Sequence, residues 1–270
     1  MAHTPPVALT IAGSDSGGGA GIQADLRTFA FHAVHGTSAL TCITAQNTQG
    51  VSRVDALEPS AVVAQIEAVV NDIGIQAVKT GMLLNQSIIE VVTGYLQGLD
   101  NISCVIDPVM VSRTGAQLID DDAIAALKKI IPLATVLTPN RYEAEILSGQ
   151  IIKTLDDMKT AAQTIHSLGA NAVVVKGGGF EGELRGIDIW YDGTTLTPLT
   201  TRCIDTTDTH GTGCTLSAAI AANLALGHNP LEAAQKAKAY VTNALDHALR
   251  IGKGQGPVGH FYPLIAKPSL

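Results

Sequence analysis

The sequence lacks the features that mark nucleic-acid-binding, membrane and secreted proteins. Only 15% of its 270 residues are charged, and the net charge is −7 with no basic cluster. This balance argues against nucleic acid or an anionic membrane as the main partner. No uncharged, strongly apolar run reaches the ~18–20 residues that a membrane span requires. Because the N-terminus has neither a charged segment nor a long apolar one, we expect no signal peptide.

Paired cysteines and metal-ligand spacings are absent as well. The four cysteines, Cys42, Cys104, Cys203 and Cys214, form no C-x-x-C motif. This usage suits a reducing compartment and predicts a cytoplasmic protein. Low-complexity segments, linkers and internal repeats are also missing, while 46% of the residues are apolar. We therefore predict a single domain over residues 1–270, with two small domains as the alternative that length alone allows.

Both common nucleotide fingerprints are missing, but two glycine-rich turns are present. The chain has no Gly-Lys-Ser/Thr of a Walker A motif and no G-x-G-x-x-G in the proper register. A buried strand at 7–13 is instead followed by the loop SDSGGGAG (14–21) and a helix at 22–31. Near the other end, the Gly-Thr-Gly turn at 211–213 precedes a helix of small residues. Strand, glycine loop and helix is the order in which α/β proteins place ligands beyond the strand end.

The second glycine turn has the chemistry of an anion site. Glycine lets the backbone approach a ligand closely. Free N–H groups and the positive end of a helix dipole then favour an anion such as phosphate. Cys214 follows the turn, at a position where the pKa of a thiol tends to fall. An anion hole beside an ionisable side chain suits group transfer, and the alternative is a glycine turn before a buried core helix.

Apolar β-branched runs alternate with helical patterns along the chain. Strands that are apolar throughout, with helices between them, predict an α/β fold with a parallel sheet covered on both faces. Asp192-Gly193 lies between two alternating runs and predicts an antiparallel hairpin near one sheet edge. The candidate strands are 7–12, 38–45, 76–80, 103–107, 134–138 and 172–176. The candidate helices are 20–31, 59–72, 86–98, 120–130, 141–147, 155–168, 212–226 and 230–249.

Four polar residues fall where predicted strands end, namely Lys79, Asp107, Asn140 and Lys176. In a parallel sheet these ends lie along one edge, which is where ligands bind. Two of them also have an explanation without a ligand. Lys176 can extend out of the sheet edge into solvent, and Asp107 can accept hydrogen bonds from loop amides.

Asn140 and three further candidate residues also have structural explanations. Asn140 and Glu143 fit a capping box, with Asn140 as N-cap and Glu143 at the third helical position. Asp25 fits a carboxylate in the first turn of a helix, where the dipole favours it. His210 fits a loop histidine whose hydrogen bonds are satisfied.

Taken together, these segments resemble the ribokinase superfamily and, within it, the hydroxymethylpyrimidine/phosphomethylpyrimidine kinases of thiamine biosynthesis. The resemblance implies a ribokinase-like three-layer α/β/α fold with a mostly parallel central sheet. It also implies phosphorylation of a hydroxymethyl group with ATP and Mg²⁺, followed by phosphorylation of the resulting monophosphate. The matching segments are 9–26, 45–51, 79–83, 107–110, 138–144, 174–179, 208–221 and 252–261.

The resemblance assigns residues to each part of the site. Asp25 and Gln46 match positions that hydrogen-bond an aminopyrimidine, whose ring nitrogens and amine a carboxylate and an amide can pair. The implied pocket lining is Gly13, Met82 and Val109. The implied metal residues are Glu143 and Asp107. The implied nucleotide contacts are Asn140, Lys176, Thr209, Gly213 and Lys238. The implied catalytic group is Cys214, Gly211, Thr212, Gly213 and Lys176.

Position 214 departs from the wider superfamily. Most ribokinase-like sugar kinases carry Asp as the base after the glycine turn, whereas this chain has Cys214, as do the pyrimidine kinases and some pyridoxal kinases. The sugar-kinase interpretation is therefore weakened. Phosphoryl transfer depends mostly on positioning and charge stabilisation. A weak base is tolerable above all in the second step, whose acceptor phosphate has a second pKa of about 6.

The sequence also allows three alternative functions, and the resemblance implies an oligomeric state. A pyridoxal kinase on the same scaffold is the nearest rival, since pyridoxal is also a flat heteroaromatic alcohol. A cysteine-nucleophile hydrolase or transferase would use Cys214 and His210. A non-catalytic vitamin-binding regulator would not need Asp25, Glu143, Lys176 and Cys214 together. The family resemblance also implies a homodimer.

Overall fold

The computed structural model describes residues 4–110, 120–180 and 182–265. The strands are β1 (Val7–Asp15), β2 (His35–Asn47), β3 (Gly50–Ala56), β4 (Ala77–Thr80), β5 (Ser103–Ile106), β6 (Val136–Leu137), β7 (Val173–Val175), β8 (Asp188–Tyr191) and β9 (Leu196–Leu199). The helices are α1 (Gly21–Phe31), α2 (Pro59–Asp72), α3 (Gln86–Gln97), α4 (Asp121–Ile130), α5 (Arg141–Ser148), α6 (Leu155–His166), α7 (Thr212–Ala225), α8 (Pro230–Asp246) and α9 (Tyr262–Ile265).

The strands of the described residues form one mixed sheet in the order β3-β2-β1-β4-β5-β6-β7-β8-β9. The six central strands are parallel neighbours. β8 and β9 run antiparallel at one edge, which confirms the predicted hairpin. β3 runs antiparallel to β2 at the opposite edge and was not predicted. All seven β3 residues are exposed, so they show no alternation of apolar and polar positions that the sequence could reveal.

Helices cover both faces of the sheet. Side chains alternate between the two faces along a strand. In β1, Leu9 and Ile11 pack into a core with α2 to α6, whereas Ala8 packs on the other face with α7 and α8. This arrangement confirms the three-layer fold. The small residues of α7 let that helix lie close to the sheet, where its side chains from Thr215 to Leu224 are buried.

The predicted helices agree with the observed ones to within a few residues, except for the short α9, which carries no buried residue to reveal it. No helix in the described ranges combines the length and the hydropathy that crossing a bilayer would take.

Candidate active site

The first glycine-rich loop is organised by Asp15, the buried last residue of β1. Its Oδ1 accepts from the N–H of Gly17 at 2.8 Å, and its Oδ2 accepts from Gly19 at 3.1 Å and Ala20 at 2.8 Å. Burial acts to raise the pKa of this carboxyl group, but hydrogen bonds from His210, Ala20 and Gly17 outweigh burial and lower it. An Asp-Ser pair before a glycine run is a turn signal, which could have identified Asp15 from the sequence.

The second glycine turn lies against the first. Gly211 has a φ of 82° and is the N-cap of α7. A Cβ atom on Gly211 would lie 1.8 Å from the carbonyl oxygen of Gly19, so this close approach requires glycine. Within the described ranges no side chain caps α7, and its first turn has no acidic residue. The predicted turn is confirmed. The Thr212 N–H donates to the Thr209 carbonyl at 3.3 Å, so the N–H groups of Gly213 and Cys214 are the ones placed to favour an anion.

Lys176 and Asp107 form an ion pair where β7 and β5 end. Lys176 Nζ lies 2.8 Å from Asp107 Oδ1, and Ser217 of α7 donates to Asp107 Oδ2 at 3.0 Å. A Cβ atom on Gly213 would lie 3.4 Å from Lys176 Nζ, so the ammonium group is at the start of α7. The exposed fractions of these two side chains are 12% and 3%. The extension of Lys176 into solvent is therefore wrong, because its ammonium group is held by Asp107.

Asn140 and Glu143 form the predicted capping box at the start of α5. Asn140 Oδ1 accepts from the Glu143 N–H at 3.0 Å, and Glu143 Oε2 accepts from the Asn140 N–H at 2.8 Å. Glu143 Oε1 also accepts from the Met110 N–H at 3.4 Å. Burial and the charge of Asp107 raise the pKa of Glu143 to about 8, in spite of Lys176.

Asp107 and Glu143 fit a magnesium ion in the company of phosphate oxygens. In the described part of the chain, no three His, Cys, Asp or Glu side chains cluster as a metal site. Mg²⁺ commonly keeps several waters and is bound through one or two carboxylates together with substrate phosphates. Two carboxylates beside the start of α7 satisfy that pattern.

Asp25 and Lys79 form a fully buried ion pair. Lys79 Nζ lies 2.8 Å from Asp25 Oδ2, and Thr10 Oγ1 donates to the same oxygen at 2.6 Å. Asp25 Oδ1 has no hydrogen-bond partner among the residues described. Because α1 begins at Gly21 and has no acidic residue in its first turn, the first-turn explanation of Asp25 is wrong. The unpaired oxygen leaves Asp25 one acceptor for a ligand N–H group.

The residues that match a pyrimidine pocket lie along the edge where the parallel strands end. A Cβ atom on Gly13 would lie 2.7 Å from Cys42 Sγ and 3.1 Å from Met82 Cε, so the absence of a side chain leaves room for both. Gln46 is half-buried near the end of β2, and Val109 is half-buried beyond β5. The structure thus brings Gly13 beside Met82 and places the other two positions at neighbouring strand ends.

Cys214 lies in the first turn of α7, and its sulfur accepts a hydrogen bond from the N–H of Gly21 at the start of α1. Burial raises the pKa of this thiol to about 11, because desolvation outweighs the charge of Lys79 and the Gly21 N–H. The carboxylates of Asp25 and Asp107 act in the same direction as burial. The expectation of a lowered pKa is therefore wrong, since helix N-termini do not offset desolvation here.

We expect Cys214 to react slowly with iodoacetamide at neutral pH. The rate should rise about tenfold per pH unit from about pH 7 to about pH 9, because the thiolate fraction does so below a pKa of about 11. The exposed Cys203 should first be replaced by serine, so that mass spectrometry follows Cys214. A rate that levels off below about pH 8 would contradict the raised pKa.

Two predicted nucleotide contacts have different surroundings. Thr209 precedes the second glycine turn, and its buried Oγ1 has no hydrogen-bond partner within the described ranges. Lys238 Nζ lies 2.7 Å from Asp188 Oδ2 and donates to the carbonyl of Gly186. Asp188 Oδ1 accepts from the Gly177 N–H at 2.8 Å. Lys238 thus fixes the loop between β7 and β8, and its contact with nucleotide stays a prediction.

His210 is paired with Asp15 and not with Cys214. Its Nε2 lies 2.9 Å from Asp15 Oδ2. A cysteine nucleophile needs a base within hydrogen-bond reach. The residues described show no such bond between His210 and Cys214, and the thiol pKa is raised rather than lowered. The geometry does not supply the Cys–His pair that the hydrolase interpretation requires.

The chain is similar to known proteins over most of its length. A family model described as phosphomethylpyrimidine kinase matches residues 15–259. The hydroxymethylpyrimidine/phosphomethylpyrimidine kinase of Synechococcus elongatus is 63% identical over 260 residues, which are 96% of this chain and 98% of that protein. A thiamine biosynthesis bifunctional protein of Geobacter sulfurreducens is 46% identical over 255 residues, 93% of this chain and 51% of that protein. Bacillus subtilis pyridoxal kinase, in an ADP complex, has a TM-score of 0.89 and 42% identity, with 95% of this chain and 98% of that chain covered.

Proposed function

The chain belongs to the phosphomethylpyrimidine kinase family, and we propose that it uses ATP to phosphorylate 4-amino-5-hydroxymethyl-2-methylpyrimidine and then its monophosphate. The product of the second step is the pyrimidine diphosphate of thiamine biosynthesis. The similarity to a thiamine biosynthesis bifunctional protein supports this pathway.

The observation that carries the proposal is the position of Lys176 at the uncapped start of α7. The ammonium group is next to Gly213, where the first-turn N–H groups have no side-chain acceptor among the residues described. A transferring phosphoryl group spreads negative charge over three oxygens, so positioning and charge stabilisation dominate its transfer. Fixed N–H groups and a buried ammonium can stabilise that charge without rearranging. Mg²⁺ would add charge neutralisation at the phosphates, and Asp107 and Glu143 are the residues that would hold it.

The unpaired Oδ1 of Asp25 and the half-buried amide of Gln46 support an aminopyrimidine as the acceptor. The exocyclic amine of such a ring donates hydrogen bonds, and its ring nitrogens accept them. A carboxylate accepts and a side-chain amide does both, so the two sets are complementary. Gly13, Met82 and Val109 would line the ring. Pyridoxal is the second candidate because of the similar pyridoxal kinase structure, but it lacks the exocyclic amine.

We expect the wild-type protein to have a higher kcat/KM for hydroxymethylpyrimidine than for pyridoxal in parallel assays. Gln46→Leu should lower the value for the pyrimidine by about 10–100-fold, because a buried polar group of the substrate loses its partner. The KM for ATP should change little. Gln49→Leu, the same substitution at an exposed position three residues away, is the matched control. Faster turnover of pyridoxal by the wild-type protein would overturn the assignment.

We expect Glu143→Gln to keep near-normal thermal stability but to lose about 10–100-fold in activity. Gln can still accept the Asn140 N–H, so the cap persists, while the negative charge near the phosphates is lost. Excess Mg²⁺ should recover part of the activity. Glu145→Gln in the same helix serves as the control. An early-melting Glu143→Gln protein with full turnover would show that capping is the whole role.

The proposal also covers the organisation of the protein. Residues 1–270 form a single catalytic domain in the cytoplasm, in keeping with cysteines that form no disulfide among the residues described. The protein acts as a homodimer. The exposed edge strand β3, with Val51 and Val54 on its surface, supports a second copy as partner, because an exposed edge strand favours pairing with another chain.

A further inference from the structure

The His210 ring lies where the two glycine turns meet the end of β2. Its backbone is fixed by the C-terminal segment, since the His210 N–H donates to Gly256 O at 3.1 Å and His210 O accepts from the Val258 N–H at 3.2 Å. A Cβ atom on Gly19 would lie 2.2 Å from His210 Cδ2, so only glycine leaves space for the ring there. The imidazole is thus held against the first loop.

The contact with Asp15 determines which ring nitrogen carries a hydrogen. His210 Nε2 lies 2.9 Å from Asp15 Oδ2. An ionised carboxylate only accepts hydrogen bonds, and Asp15 stays ionised at neutral pH because its pKa is lowered. Nε2 must therefore be protonated, whatever the state of Nδ1.

The same Nε2 faces the side-chain amide of Gln46. The amide nitrogen lies 3.4 Å from His210 Nε2, and the amide oxygen lies 3.2 Å from Thr44 Oγ1. Thr44 Oγ1 has one hydrogen, and Ser14 O accepts it at 2.8 Å. With this amide orientation, two donors face each other at His210 and two acceptors face each other at Thr44. A half-turn about the last side-chain bond of Gln46 exchanges the amide nitrogen and oxygen. The orientation is assigned as the one in which each amide atom has a complementary hydrogen-bond partner.

We propose that His210 is a specificity-determining positioning residue, which holds the oxygen of the Gln46 amide towards itself and the nitrogen towards Thr44. His210 Nε2–H then donates to both Asp15 and Gln46, and Gln46 Nε2 donates to Thr44 Oγ1. Every contact becomes a donor–acceptor pair. The Gln46 amide still has one N–H and one oxygen lone pair that can bond the ring edge of the substrate. Their relative positions are fixed, because the oxygen is on the His210 side and the nitrogen on the Thr44 side.

This inference rests on the proposed function only for the identity of that substrate. An aminopyrimidine edge presents a donor and an acceptor side by side, so a reversed amide would meet it donor to donor. Without the His210 side chain the Gln46 amide can rotate. The free energy needed to fix its orientation then weakens substrate binding.

The test is a double-mutant cycle between His210→Leu and Gln46→Leu. We expect His210→Leu to lower kcat/KM for hydroxymethylpyrimidine by about tenfold, mainly through the KM of the pyrimidine, as for loss of one hydrogen bond. In the Gln46→Leu background the same change should have less than about a twofold effect. If His210→Leu acted on kcat/KM through the neighbouring anion site, it would lower kcat/KM by the same factor in the wild-type and the Gln46→Leu backgrounds. That contribution would cancel from the coupling between the two substitutions. His210→Gln, which keeps an N–H donor, should recover most of the loss.

Equal losses in both backgrounds, or a loss in His210→Gln as large as in His210→Leu, would overturn the proposal. A second measurement needs neither a variant nor a substrate. The ¹⁵N spectrum of the wild-type imidazole should show His210 Nε2 protonated, and an unprotonated Nε2 would overturn the proposal even if the variants fail to fold. Failure of the wild-type protein to phosphorylate the pyrimidine would refute the proposed function, whereas the ¹⁵N result tests His210 independently.

Discussion

Cys214→Ala should slow the first phosphorylation by about 10²–10⁴-fold, the usual contribution of a general base, and the second by much less. The first acceptor is an alcohol that must lose a proton, whereas the second is a phosphate that is already largely ionised at neutral pH. Because the Cys214 pKa is about 11, thiolate is scarce at pH 7 and grows with pH. The wild-type rate of the first step should therefore rise between about pH 7 and about pH 9, and Cys214→Ala should lose that rise.

Cys214→Asp should affect the two phosphorylations in opposite ways. A carboxylate can accept the proton of the alcohol, so this variant should recover part of the first step. It should impair the second step, because like charges in a partly desolvated site repel by on the order of a few kcal/mol. Each step is measured separately, with purified monophosphate as substrate for the second. Equal losses in both steps for Cys214→Ala would mean that the thiol only shapes the anion site.

Lys79→Met should lower the free energy of unfolding by about 3–5 kcal/mol at neutral pH, because it leaves Asp25 buried without its counter-ion. Both side chains of the pair are 0% exposed. Burial already raises the pKa of Asp25 in spite of Lys79 and Thr10. Loss of the ammonium raises it further, so the folded protein binds a proton that the unfolded chain releases. The deficit relative to wild type therefore grows as pH rises through the raised pKa that Asp25 has in the folded wild-type protein, and it shrinks below that pKa.

Urea unfolding of Lys79→Met against wild type measures this effect, with exposed Lys129→Met as the matched control. The double variant Asp25→Asn/Lys79→Met removes both charges and should recover most of the stability. A Lys79→Met protein as stable as the wild type, at every pH, would contradict a buried ion pair at this position.

The fold could be predicted from the sequence because burial leaves a periodic pattern. The helix predicted at 59–72 is α2 with the same bounds, since its apolar positions recur on one face. β3 left no such signal, because every one of its residues faces solvent. Its register against β2 is set by tertiary pairing, which a single strand does not encode.

The parts of the site that are formed by neighbouring residues in the sequence could be predicted. The contacts between residues far apart in the sequence could not. The glycine turn at 211–213 and the capping box of Asn140 and Glu143 are local and were confirmed. The Lys79–Asp25 and Lys176–Asp107 pairs join residues 54 and 69 positions apart. The resemblance identified members of both pairs but did not indicate that they pair.

The prediction of a lowered pKa for the Cys214 thiol was wrong for the same reason. The sequence shows the start of α7, but it does not show that α1 and buried carboxylates surround the thiol. Desolvation depends on these distant segments, and it outweighs the local helix dipole.

The central claim is that one site adds two phosphates in succession to a pyrimidine alcohol. Time-resolved ³¹P NMR of the protein with hydroxymethylpyrimidine, ATP and Mg²⁺ tests this most directly. A monophosphate signal should rise first and then decline as the paired signals of a diphosphate replace it, with two ATP consumed per pyrimidine. A monophosphate that accumulates unchanged while ATP remains, or no transfer to the pyrimidine at all, would contradict the account.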